Sequence, residues 1–230
     1  MTNVYATLEK LQYAKRLFEI GIEYLEGQGY EVSRVPRSGK KSLRRVKKGK
    51  EEFNVAIRTS QDQWFAFPRD HDGNWLGMDD VNVKRVIVVA LNTRDKDKEK
   101  FGLVHDFAAD EVRKRLNKNY EARYAVNPNF DVSHGNWISL YNEEAKEPTS
   151  FVGAGIGIKF PPVARVPLLG KTADDAGEVD VTEASEFSNV PATVRQREDN
   201  DSPLTIAEAK RRLALTFGVE PNAIKITIEA

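Results

Sequence analysis

The stretch from Val83 to Leu91, VKRVIVVAL, is the strongest constraint in the chain. Apolar and mostly β-branched residues follow one another there almost without interruption, the pattern of a strand buried on both faces. Such a strand needs a covering layer on each side of its sheet. Two segments can supply helices. From about Thr7 onward Leu8, Leu11, Ala14, Phe18, Ile22 and Leu25 recur at three- and four-residue spacing, and Gly27 and Gly29 mark the stop. From about Ala109 to Tyr124, Asp110 and Glu111 fall in a first turn, with Arg113, Lys114 and Arg115 further along, as a helix macrodipole favours. Around them Tyr30–Val35, Ser42–Val46, Phe53–Thr59, Trp64–Pro68 and Phe101–Phe107 read as strands. The expectation is an α/β domain over residues 1–142, with a mixed central sheet in an α/β/α arrangement that closes near Trp137–Tyr141.

A length of 230 residues with 40% hydrophobic content accommodates one such core plus an appendage. Cysteine is absent, which excludes disulfides, thiolate zinc sites and cysteine nucleophiles. No apolar run reaches the roughly 18 residues of a membrane span, and the first residues lack a signal-peptide pattern, so a soluble cytoplasmic protein with no membrane partner is expected. Periodicity fails over residues 143–202, which read as a largely flexible acidic linker. Within it Gly153, Gly155 and Gly157 lack the lysine and hydroxyl of a phosphate loop, and a flexible edge strand or a hydrophobic docking segment is the expectation. Residues 203–230 regain order: Thr205 to Glu208 forms a capping box, and Ile224, Ile226 and Ile228 alternate with polar residues. That helix and strand are too small to stand alone, so they should dock on the first domain, on another subunit or on a protein partner.

The net charge of zero conceals a separation along the chain. Arg34, Arg37, Lys40, Lys41, Arg44, Arg45, Lys47, Lys48 and Lys50 follow one another with no acid among them. Residues 174–201, by contrast, are dominated by Asp and Glu. The basic block forms a hairpin that either binds phosphate, with Gln61, Gln63 and Trp64 nearby as base-contacting or stacking groups, or serves as a solvated edge that discourages aggregation.

The order of long helix, strand YEVSRV, basic hairpin, strand FNVAIRTS, strand WFAF and buried VIVVAL resembles the restriction-endonuclease-like fold, the PD-(D/E)xK superfamily, across about residues 5–141. The resemblance rests on element order. It implies a site in which an Asp and a Glu-x-Lys converge on magnesium and activate water. Laid on that pattern, Ser42 falls nearest the Asp position, Ala56 at the Glu position and Arg58 at the Lys position. The implied catalytic set is therefore degenerate, with no metal or other cofactor held in the family manner.

Two readings stay open at this point. One is a DNA-associated protein that binds without cutting, through Arg37, Lys40, Lys41, Arg44, Arg45, Lys47, Lys48, Arg58 and Gln61, in a bacterial or phage defence or DNA-processing setting implied by the resemblance. The other is an active magnesium-dependent nuclease rebuilt from Glu51, Glu52, Asp62, Asp79 or Asp80. A third class, a protein-interaction adaptor, would work through residues 203–230. His71, His105 and His134 are scattered, and His71 beside Asp70 and Asp72 reads as a solvated loop.

Overall fold

The computed structural model describes residues 7–36 and 42–168. Helix α1 (Leu8–Gly27) starts where the Thr7 hydroxyl accepts the Lys10 amide hydrogen, and it buries Leu11, Ala14, Leu17, Phe18, Ile20 and Leu25. Three strands follow as an antiparallel meander, β1 (Glu31–Arg34), β2 (Leu43–Lys48) and β3 (Glu51–Ser60). A crossover carrying β4 (Trp64–Phe67) leads to β5 (Val83–Leu91), which lies parallel to β3. Then β6 (Phe101–Ala108) runs antiparallel to β5, and α2 (Ala109–Val126) leads to β7 (Asn136–Ser139). The main sheet has six strands in the order β1-β2-β3-β5-β6-β8, the last being Ala164–Pro167, while β4 and β7 form a separate antiparallel pair.

The architecture is thus mixed α/β, with a six-stranded mixed sheet and three helices among the described residues. The strand Val83–Leu91 is central and buried on both faces, as its composition demands. Ile87, Val89 and Leu91 join α1 in one core with Val55, Ile57 and Val104. Val86, Val88 and Ala90 join the other, with α2 residues Val112 and Leu116 and with Phe65 and Phe67 of β4. The α1 layer sits unusually close, because a Cβ on Gly21 would lie 2.9 Å from Ile57 Cγ2. No helix among the described residues is long and apolar enough to cross a membrane.

The expected linker differs from what residues 143–168 do. They contain a 3-10 turn (Thr149–Phe151), the one-turn helix α3 (Ile156–Lys159) and β8 (Ala164–Pro167), which pairs antiparallel with β6 as a sheet edge. Of the two expectations for the glycine-rich stretch, docking is the one that matches: Val152, Ala154 and Ile156 are buried, and Gly153 has a φ of 77° with its Cα pressed against α2. A Cβ there would stand 2.6 Å from the Arg115 carbonyl oxygen. The segment lacked a visible period because it folds through left-handed turns and single turns of helix, neither of which leaves a repeating apolar pattern. Residues 169–202 of the expected linker and the expected module at 203–230 lie outside the described residues.

Candidate nucleic-acid interface

Successive side chains of a strand point to opposite faces, and this divides the basic block. On β2, Arg44 and Val46 face α1, whereas Leu43, Arg45 and Lys47 face the α2 side. Arg44 is buried, its guanidinium carbon 4.7 Å from the centre of the Phe18 ring and its Nη1 donating to the Leu43 carbonyl at 2.8 Å. Arg45 is half-buried and lies 3.5 Å from Glu52. Lys47 and Lys48 are exposed at the turn end of the hairpin with Lys50. The strand partners bring acids that the linear block lacks: Lys47 stands opposite Glu31 on β1 and Glu52 on β3, and Lys48 opposite Glu51. Lys48 Nζ donates to the Gln28 carbonyl at 2.7 Å and lies 5.6 Å from the Tyr30 ring. Arg37, Lys40 and Lys41 lie outside the described residues.

Ser42, Ala56 and Arg58 do come together. Leu43 pairs with Ala56 in register, the Ile57 amide donates to the Ser42 carbonyl at 2.8 Å, and Arg58 Nη1 donates to Ser42 Oγ at 2.8 Å. Ala56 is wholly buried in the α2-side core, where its methyl packs with Val86 and Val88. Arg58 lays its guanidinium carbon 4.2 Å from the centre of the buried Phe67 ring. Its Nε is sealed from solvent without an acceptor, although the residue as a whole keeps a partly exposed fringe. Burial pushes its pKa down to about 10, against a smaller opposing pull from Asp80, so the side chain stays charged at neutral pH. The cation–π contact and the Ser42 hydrogen bond hold this guanidinium against the α2-side layer.

Gln61 lies far from the hairpin turn. It follows β3, whose ten residues extend about 30 Å at ~3.3 Å each, so it lies at the end remote from Lys47 and Lys48. Its Nε2 donates to the Lys10 carbonyl at 2.7 Å, and its carbonyl accepts from Arg94 Nε at 3.1 Å. Gln63 likewise donates to the Asn92 carbonyl, and Trp64 packs beside Phe151. These side chains hold loops together and do not extend the hairpin surface.

The candidate relocated acids are each engaged. Asp62 accepts from Ser60 Oγ and the Trp64 amide, Asp79 pairs with Arg113 at 2.7 Å and accepts the Trp75 amide, and Asp80 accepts the Gly77 amide at 2.6 Å. Glu51 accepts from the Tyr30 hydroxyl at 3.3 Å. Among the described residues no three His, Asp or Glu side chains converge as a metal site. Asp70, beside His71, accepts the Asn74 amide in its own turn at 2.8 Å, and this hydrogen bonding holds its pKa below the usual carboxylate value.

Two polar constellations were not identified in the sequence. Asp106 of β6 pairs with Arg85 of β5 and accepts from the Tyr24 hydroxyl at 2.8 Å, tying α1 to the sheet. Its neighbour His105, wholly buried on the opposite face, stacks on Phe107. The Phe160 carbonyl 3.0 Å away can only accept, so Nδ1 carries the proton and Nε2, 2.7 Å from Tyr141, accepts from that hydroxyl. Burial lowers the His105 pKa and pushes that of Tyr141 up to about 12. The available signal was a histidine and an aspartate adjacent inside an apolar strand, FGLVHDFA, where each must find a partner. No family model, no curated protein and no solved structure matches this chain.

Proposed function

We propose that this chain binds nucleic acid without cutting it, using the turn end of the β2–β3 hairpin and the basic connection that precedes β2, on a restriction-endonuclease-like scaffold. One observation carries the reading. Lys47 and Lys50 are exposed and form no salt bridge with another described residue, and of the two acids opposite Lys47, Glu31 and Glu52, the second is engaged by Arg45. Two lysine heads therefore remain open beside Arg45 and Lys48. Such a cluster binds phosphate by releasing condensed counterions, which makes affinity fall with salt. The scaffold assignment is supported by the helix–meander–crossover order and by the parallel pairing of β3 with β5. The non-cutting assignment is supported by Ala56, whose buried methyl has no atom that could ligate a cation.

The test separates surface cations from buried ones. Changing Lys40, Lys41, Lys47 and Lys48 to Gln together is expected to weaken duplex DNA binding and to reduce the slope of log affinity against log salt by about 0.9 per lost phosphate contact. Thermal unfolding of the variant should stay close to that of the parent, since the two described lysines, Lys47 and Lys48, are exposed. An unchanged binding isotherm would sink the proposal.

A further inference from the structure

The C-terminal half of α2 carries a surface that the hairpin does not explain. Tyr120 and Tyr124, one helical turn apart, stack with ring centroids 5.6 Å apart and planes inclined by 25°. Arg69, two residues after β4, places its guanidinium carbon 4.1 Å from the Tyr120 centroid and 5.3 Å from that of Trp75, which itself meets Tyr120 edge-on. Trp75 is fixed there because its Nε1 donates to Asn117 Oδ1 at 2.8 Å. On the neighbouring flank Arg123 lies 5.0 Å from the Phe130 ring centre. The rank runs from a buried Trp75 to Tyr124, which is 46% exposed.

The charges beside these rings are unusual. Neither Arg69 nor Arg123 forms a salt bridge with another described residue. Arg69 Nε donates to the Gly73 carbonyl at 3.0 Å, and Arg123 Nε is closed off from solvent with no acceptor. Burial holds the Arg123 pKa below its ordinary value. The acids of the adjoining loops are committed to their own turns: Asp70 accepts from the Asn74 amide and side chain at 2.8 and 3.2 Å, and Asp131 from the Ser133 amide and hydroxyl at 2.8 and 3.0 Å. Glu121 shares the other flank of the helix with Lys114 and Lys118.

An aromatic ring that is 46% exposed, backed by further rings and flanked by guanidinium groups without carboxylate partners among the described residues, matches an unstacked base and its phosphates. Bases in a duplex present only their edges, whereas single strands offer a face. Guanidinium groups suit the bidentate geometry of phosphate oxygens. We propose that Tyr124, supported by Tyr120, stacks one base of a single-stranded nucleic acid, with Arg69 and Arg123 taking the neighbouring phosphates. This rests on the nucleic-acid reading above and adds to it a preference for single strands.

The experiment is fluorescence anisotropy with a labelled oligothymidylate of about a dozen nucleotides and with a duplex of similar length, each across a salt series. Tyr124→Ala is expected to weaken single-strand binding about tenfold, the range for one stacked base, with an unchanged salt slope and little change for the duplex. Tyr124→Phe should restore the parent affinity, since it keeps the ring. Arg69→Gln and Arg123→Gln should each lower the single-strand slope by about 0.7. The inference is overturned if Tyr124→Ala binds the single strand as the parent does, or weakens both substrates alike. If the hairpin lysine variant loses affinity while Tyr124→Ala does not, the stacking platform fails alone; if the parent protein binds neither substrate, both readings fail together.

Discussion

At the scale of single residues, the determining fact is where a charge or a proton goes once it is buried. Arg44, from the basic stretch, and Arg58, on the next strand, belong to one expected site, yet they face opposite layers, each lying over an aromatic ring. Both guanidiniums are held against the packing of their layers. His105 is a second case. Its folded pKa lies below the ordinary 6.5, so the unfolded chain protonates first as pH falls. Stability from this group is complete above about pH 6.5 and is lost as pH drops below it, with a slope limited to about 1.4 kcal/mol per pH unit for one proton. Urea unfolding followed from about pH 7 to about pH 5 should show this loss in the parent and a flatter profile in His105→Gln, a variant less stable at neutral pH. A parent profile as flat as the variant's would remove the assignment.

At the scale of elements, α1 was legible from its apolar repeat, β5 from an unbroken apolar run and α2 from the acids of its first turn and the bases that follow. Their bounds agree with the sequence to within a few residues. The short elements after residue 142 were not legible, since a single helical turn and a four-residue edge strand contain less than one full repeat of either pattern. What positions them is local: Asn119, buried on α2, donates to the Val152 carbonyl at 2.6 Å, and Arg115 donates to the Gly153 carbonyl at 3.1 Å. Gly153→Ala combines a left-handed backbone with a Cβ placed against the Arg115 carbonyl, and should cost at least about 2 kcal/mol in chemical denaturation. Gly27→Ala, where a Cβ meets nothing within 4 Å, is the matched control and should leave stability within about 0.5 kcal/mol. Equal effects for the two would mean that the loop does not press on α2 as described.

At the scale of the whole described molecule, the sheet is finished by residues that composition assigned to a tether. β8 adds the sixth strand, and Phe160 supplies the acceptor for His105. A fragment of residues 1–142 should therefore unfold with lower cooperativity than one of residues 1–168, because it uncovers His105 and leaves β6 as a bare edge. Calorimetry on the two fragments checks this, and identical transitions would return residues 143–168 to the role of linker. By itself the sequence determined that there is a doubly covered strand, a long amphipathic helix before it and a second helix after it, since apolar patterning and the charges at a helix start are local statements. Only the tertiary structure decided which cations remain available. Strand alternation sends adjacent residues to opposite faces, and register places Glu31, Glu51 and Glu52 beside lysines that have no acid near them in the linear block.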